Sequence, residues 1–307
     1  MYCLAKGLVF VIGASLMLVS TPVQAAEPIK VVATISILGD MVTQVGGDDV
    51  AVRTLVAPGG DAHVYQPSPG DAKELTGAQL IVVNGLGLEG WMDRLIQASG
   101  SKAPILVATS GIKPQTMAEE EDTDVNGKAK VVTDPHAWQN LANGAIYANN
   151  IADALAAADP AHANDYRRRA EAYVKELTDL DGWVRREIAQ IPQEQRKLIT
   201  SHDAFGYFGK AYGVTFLAPE GISTESEPTA AGLAQLSRQI RKEHIKALFI
   251  ENMTDPRLIQ TLARDSGAVV GGTIYSDSLS PPGGPADTYV KMFRHNVPAM
   301  VAAMQKN

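Results

Sequence analysis

The chain is 307 residues long, with 27 basic and 34 acidic side chains, a formal net charge of −7 and a single cysteine. Acids and bases are mixed along it, which argues against a nucleic acid partner, because phosphate recognition needs a basic face. One cysteine excludes a disulfide framework, and the length exceeds one typical domain, so two lobes are expected.

Residues 1–26 read as a cleavable secretory signal. Lys6 supplies the positive charge, Gly7 to Ser20 forms a short apolar run, and Thr21-Pro22-Val23-Gln24-Ala25 offers small residues for cleavage after Ala25 or Ala26. The run is about fourteen residues, short of the ~20 that span a bilayer. Cys3 lies upstream of that run, so it leaves with the signal and is misplaced for lipid attachment. A soluble periplasmic protein without thiols is the expectation.

Short β-branched runs then alternate with helical patterns. Strands are predicted at Lys30–Ile35, Val52–Val56, Leu80–Asn84 and Ile105–Ala108, with helices at Leu38–Val45, Trp91–Ala98 and Leu141–Ala157. Their continuous apolar character fits strands buried on both faces of a parallel sheet. Lys113 to Lys130, with Glu119, Glu120, Glu121, Asp122 and Asp124, has no periodicity and reads as a mobile acidic surface loop. From Asp159-Pro160 onward, Tyr166, Ala170, Tyr173, Leu177, Leu180, Val184 and Ile188 recur at steps of three and four. That stripe predicts one long, stiff helix; the alternative is two helices broken at Asp181-Gly182. A second set follows: strands Lys197–Ser201, Val214–Leu217, Ala247–Glu251 and Val269–Tyr275, with helices at Ala230–Lys242 and Pro256–Ser266. The fold class is therefore α/β, two βαβ lobes with parallel sheets: an N-terminal lobe (27–158), a connecting helix (159–191) and a C-terminal lobe (192–307).

Four residues stand out chemically. His63 lies in the turn-rich Gly60-Asp61-Ala62-His63-Val64-Tyr65-Gln66-Pro67, and His136 in Asp134-Pro135-His136-Ala137-Trp138. His202 follows the strand Lys197–Ser201, and Asp277 follows Val269–Tyr275. Ligands of open parallel sheets bind beyond the carboxyl ends of strands, so convergence of these residues in a cleft between lobes is geometrically sensible. Three neutral imidazoles and one carboxylate are a common tetrahedral zinc set, whereas Mn(II) favours more oxygen donors. Each histidine alone would be weak evidence.

Taken together, the segments resemble the metal-binding solute-binding proteins of zinc and manganese ABC importers, the ZnuA/TroA-like family. Val31-Val32-Ala33-Thr34, the His63 motif through Pro69, Asn84 to Trp91, Asp134 to Trp138, Ser201 to Phe208 and Tyr275 to Leu279 carry the resemblance. It implies a high-affinity Zn(II) receptor with ligands His63, His136, His202 and Asp277, acting as a monomer that delivers metal to a membrane permease. Mn(II) is the alternative cargo, although manganese-specific members usually carry glutamate at the third position, here His202. A periplasmic metallochaperone is compatible with this reading. Many zinc-specific relatives have a histidine-rich loop before the second motif. Here that loop is acidic, which resembles TroA-like or AztC-like members.

Two rival readings are weaker. Gly85-Leu86-Gly87-Leu88-Glu89-Gly90 matches a dinucleotide fingerprint, but no acid for a ribose follows the next strand, so a tight strand-to-helix turn is expected. A metal-dependent hydrolase with Glu251 as base would need an open coordination position, and four protein ligands leave none. His162, His244 and His295 are expected to face solvent with no role in the site.

Overall fold

The computed structural model describes residues 27–123, 129–225 and 228–307. The signal reading of residues 1–26 and the placement of Cys3 lie outside the described residues.

Two four-stranded parallel sheets form the frame. The first contains β1 (Ile29–Ile35), β2 (Val50–Val56), β3 (Leu80–Val83) and β4 (Ile105–Val107) in the order β2-β1-β3-β4. Burial follows that order. All four residues of the inner strand β3 are buried, whereas β4, at an edge, is mostly exposed. Continuous apolar runs therefore signal burial on both faces only for the inner strands. Helix α1 (Ser36–Gly46) leaves β1 directly and buries Ile37, Leu38, Met41, Val42 and Val45. Helices α2 (Pro69–Gly77) and α3 (Met92–Ser99) complete the connections.

The acidic segment is not a structureless loop. β5 (Gln115–Thr123) pairs antiparallel with β6 (Ala129–Asp134), in the register Gln115↔Asp134. The β-branched run Val131-Val132-Thr133 favours an extended partner strand, a signal outweighed in the sequence by the neighbouring charges. The Tyr207 hydroxyl accepts a hydrogen bond from Gln115 N at 2.9 Å, which pins the base of the hairpin. Its outgoing strand delivers Asp134 and then His136.

Helix α4 (Leu141–Ala158) packs along α5 (Ala163–Ala189), which runs unbroken for 27 residues, or about 40 Å. The buried face of α5 is Tyr166, Ala170, Tyr173, Leu177, Leu180, Val184 and Ile188, the predicted stripe. Asp159 precedes a turn of 3₁₀ helix at Pro160–His162 and accepts hydrogen bonds from His162 Nδ1 and the Tyr166 hydroxyl.

The second sheet contains β7 (Lys197–Ile199), β8 (Thr215–Leu217), β9 (Ala247–Glu251) and β10 (Val269–Ile274) in the order β10-β9-β7-β8. Helices α6 (Gly206–Tyr212), α7 (Ala230–Lys242), α8 (Pro256–Ser266) and α9 (Tyr289–Met304) surround it. In each sheet the chain steps to one side and returns to the other, which opens a crevice at the carboxyl ends of β1/β3 and of β7/β9. One apolar cluster spans residues of β1, α4, α5 and α9, while a smaller one under α7 and α8 includes Ile199, Leu236, Leu248 and Ile259.

Candidate metal centre

The His63 loop is built by local hydrogen bonds. Ser68 caps α2, accepting from Asp71 N, while Asp71 Oδ2 accepts from Ser68 N and from the Tyr65 hydroxyl at 2.9 Å. Pro69 then starts the helix with its φ already set. Trp91 Nε1 donates to Ala62 O at 2.9 Å, and His63 N donates to Asp61 Oδ1 at 2.9 Å. The side chain of His63 is thereby aimed at the crevice, with 5% of it exposed.

His136 is fixed from both sides. Asp134 Oδ1 accepts from the backbone N of His136 at 2.9 Å and lies 2.8 Å from Nδ1. Asn84 Nδ2 donates to Pro135 O at 3.0 Å, and the Tyr147 hydroxyl holds Asn84 Oδ1. Glu89 in turn accepts from Asn84 N, Gly85 N and the Thr34 hydroxyl. This disposes of the dinucleotide fingerprint. Two backbone donors at the start of the turn, Asn84 N and Gly85 N, are taken by Glu89, and a Cβ at Gly85 (φ +83°) would sit 2.5 Å from Val107 Cγ1.

His202 leaves β7 and meets the end of β9. Glu251 Oε1 accepts from His202 N at 2.9 Å, and Oε2 lies 2.7 Å from Nδ1, short but bent for a hydrogen bond. Glu251 thus stands behind the imidazole rather than across from it, which suits a positioning group and not a catalytic base. Asp277 follows β10 in a loop clamped by residues from the other half of the chain. Trp138 Nε1 and Gln139 Nε2 both donate to Ser276 O, Gly59 N donates to Ser278 Oγ at 2.7 Å, and Leu279 N donates to Ser36 Oγ.

All four predicted residues come together, and among the described residues theirs is the group of this kind able to hold an ion, with donor atoms within 4.8 Å of one another. Asp277 Oδ2 is the hub, 3.2 Å from His63 Nε2, 3.5 Å from His136 Nε2 and 3.2 Å from His202 Nε2. His63 and His136 Nε2 are 3.3 Å apart. Ring centroids form a near-equilateral triangle of 5.3, 5.4 and 5.7 Å. A tetrahedral shell with bonds of roughly 2.0–2.1 Å has donor–donor edges of about 3.3 Å, so these separations suit a small ion at the centre. His162 and His295 lie elsewhere, bonded to Asp159 and to Thr273 O.

Charge sharpens the design. Burial would lower His136, but the Asp277 and Asp134 carboxylates override it and push the imidazole up to about 9. Burial also opposes protonation of His202, yet Glu251 and Asp277 hold it well above its ordinary value. Burial would raise Asp277, but His136 and His202 keep its carboxyl well below the usual range. Two protonated imidazoles thus face one ionised buried carboxylate, and a divalent cation can replace their protons at the inward nitrogens. The supporting roles of Asp134 and Glu251 were accessible only in part from sequence: Asp134 stands two residues before His136, whereas Glu251 is brought up by β-sheet pairing.

Comparison with known proteins identifies the family. The family described as "Zinc-uptake complex component A periplasmic" matches residues 31–303. The iron-binding protein YfeA of Yersinia pestis is 34% identical, with 91% of this chain and 87% of that protein covered. The manganese-binding lipoprotein MntA of Bacillus subtilis is 33% identical, with 92% and 91% covered. Among solved structures, the periplasmic zinc binding protein TroA of Treponema pallidum superposes with a TM-score of 0.82 at 32% identity, covering 90% of this chain and 99% of that one. Other similar proteins, from Lactococcus lactis and Streptococcus sanguinis, are named substrate-binding lipoproteins of metal ABC transporters. The chain therefore belongs to the ZnuA/TroA family of periplasmic metal-binding components of ABC metal importers.

Proposed function

We propose that this chain is a periplasmic zinc receptor, which captures Zn(II) with His63, His136, His202 and Asp277 and delivers it as a monomer to the membrane permease of an ABC importer. The observation that carries the reading is the meeting of three imidazole Nε2 atoms and one carboxylate oxygen in a buried crevice, with Asp277 Oδ2 between 3.2 and 3.5 Å from each nitrogen. Three nitrogen donors suit zinc, and among the described residues no second carboxylate is a member of the cluster. Export through a cleaved signal fits the family, and no described helix is long and apolar enough to cross a membrane. The clamped loops and the long α5 favour small adjustments around the ion over a wide hinge.

A manganese receptor is the second reading, favoured by one feature. Asp277 Oδ1 is buried without a hydrogen-bond partner, so this carboxylate can offer a second oxygen to an ion that wants more than four donors. Relatives named for manganese, iron and zinc are all similar to this chain. Metal content and Zn(II)/Mn(II) competition on the purified mature protein, beside His202→Ala, decide between them. One zinc per chain, poorly displaced by manganese and weakened in the variant, is expected. Preferential manganese binding overturns the cargo, and no stoichiometric metal overturns the site.

A further inference from the structure

The buried donors are not equally enclosed. The side chains of His136, His202 and Asp277 have no exposure, while His63 keeps 5%. On the His63 side the surface opens into a recess of about 400 Å³ lined by His63, Tyr65, Gln66, Trp91, Arg94 and Glu225. Of the four donors, His63 is the one that lines this recess. Glu225 is the lining residue contributed by the second half of the chain, and it lies in the strap of residues 218–225 that follows β8.

This strap is tied down on both sides of the crevice. On its own side Glu220 N donates to Ser201 O at 3.3 Å, Gly221 O accepts from Asp203 N at 3.0 Å, and Ile222 is buried. It thus brackets His202. Across the crevice, the Thr224 hydroxyl donates to Asp61 Oδ2 at 2.7 Å. The other oxygen of the same carboxylate accepts from His63 N at 2.9 Å. Asp61 therefore joins the loop that carries one donor to the strap that flanks another. It does so beside the recess that His63 and Glu225 line.

We propose that Asp61 and Thr224 are positioning residues for metal retention: their hydrogen bond latches the strap over the His63 side of the crevice and sets the rate at which the ion escapes. The proposal rests on the four-residue reading of the site given above. Neither residue is a ligand in it. With the latch made, the backbone of His63 and the strap move together, so His63 cannot swing away while Glu225 stays in place. With the latch broken, either can move alone and the mouth widens. Hydrogen bonds to a carboxylate are among the stronger ones, so removing this donor should accelerate release roughly tenfold or more.

The test is zinc release from the loaded mature chain into excess chelator, followed by stopped flow, for the wild type, Thr224→Val and Thr224→Ser. Thr224→Val keeps the shape and deletes the donor, while Thr224→Ser keeps the donor. Release at least tenfold faster in Thr224→Val, with Thr224→Ser within about twofold of wild type, supports the latch. An unchanged Co(II) absorption spectrum in Thr224→Val would show that the ligands themselves are undisturbed. Equal release rates for wild type and Thr224→Val overturn the latch and leave the zinc site standing, as does Thr224→Ser releasing as fast as Thr224→Val. A wild type that takes up no stoichiometric zinc fails earlier, at loading, and overturns both readings.

Discussion

Replacing Asp134 by asparagine isolates what a carboxylate behind an imidazole contributes to metal capture. Asp134 is 3% exposed, so its charge is little screened by solvent. Its Oδ1 accepts from His136 N and faces Nδ1 at 2.8 Å, which holds the proton on Nδ1 and leaves Nε2 free to donate its lone pair. Asparagine keeps an acceptor oxygen there but removes the charge. Net hydrogen bonds to charged groups contribute about 1.5–3 kcal/mol and neutral ones about 0.5–1.5. The difference, about 1–1.5 kcal/mol, corresponds to roughly tenfold in zinc affinity. Competition with a chromophoric chelator at fixed pH measures it, with a melt of the metal-free variant to check folding. Gly206→Ala should act in the same direction, because a Cβ there would lie 2.6 Å from Asp134 Oδ2. Zinc affinity within twofold of wild type in a folded Asp134→Asn would refute the reasoning, since the carboxylate would then be bracing the loop without influencing the ring.

Three further outcomes are expected. With His136 raised from 6.5 to about 9 in the folded metal-free chain, its stabilising contribution is full below pH 6.5 and is lost as pH rises through 9. Melts in chelator should therefore lose stability across that window, while zinc affinity, which requires the proton to leave, climbs; flat affinity from pH 6.5 to 9 would contradict it. Gly182→Ala should stabilise the protein by about 0.5–1 kcal/mol in chemical denaturation, because Gly182 lies inside α5 and an added Cβ meets only Arg186 Nη1 at 3.5 Å. Gly144→Ala should cost about 1–3 kcal/mol by the same measurement, because its Cβ would sit 2.9 Å from the Tyr289 hydroxyl, which donates to Trp138 O.

Much of the frame was legible because periodicity is a local property. The stripe from Tyr166 to Ile188 names the buried face of α5, and Ala230–Lys242 and Pro256–Ser266 are bounded by Thr229, Asp255 and Gly267, whose capping chemistry can be read directly. The four candidate residues, which the structure brings together, were singled out by the resemblance of their motifs to a known family, not by any local spacing rule. What escaped depends on contacts distant in sequence. The hairpin of β5 and β6 requires one strand to find another across intervening charges. Glu251 comes to His202 only through sheet pairing, and Trp138 reaches Ser276 across 138 residues. Glu89 was visible only as a member of a glycine motif, although its carboxylate organises the turn that carries Asn84 to Pro135.

The division of the apolar interior into a large cluster and a small one has a consequence for how the molecule opens. The large cluster draws on residues from Ile29 near one end of the chain to Met304 near the other, and it includes Leu198 of β7 and Phe249 of β9, so most of the packing around the metal crevice belongs to one interior. The smaller cluster beneath α7 and α8, with Leu236, Ile240, Ile259 and Leu262, has its own interior. Amide exchange should then divide the chain along the outer face of the second sheet and not along the crevice, with α7 and α8 exchanging through a cheaper partial opening. A transport partner would grip a body that is rigid around its cargo and yielding on its far flank.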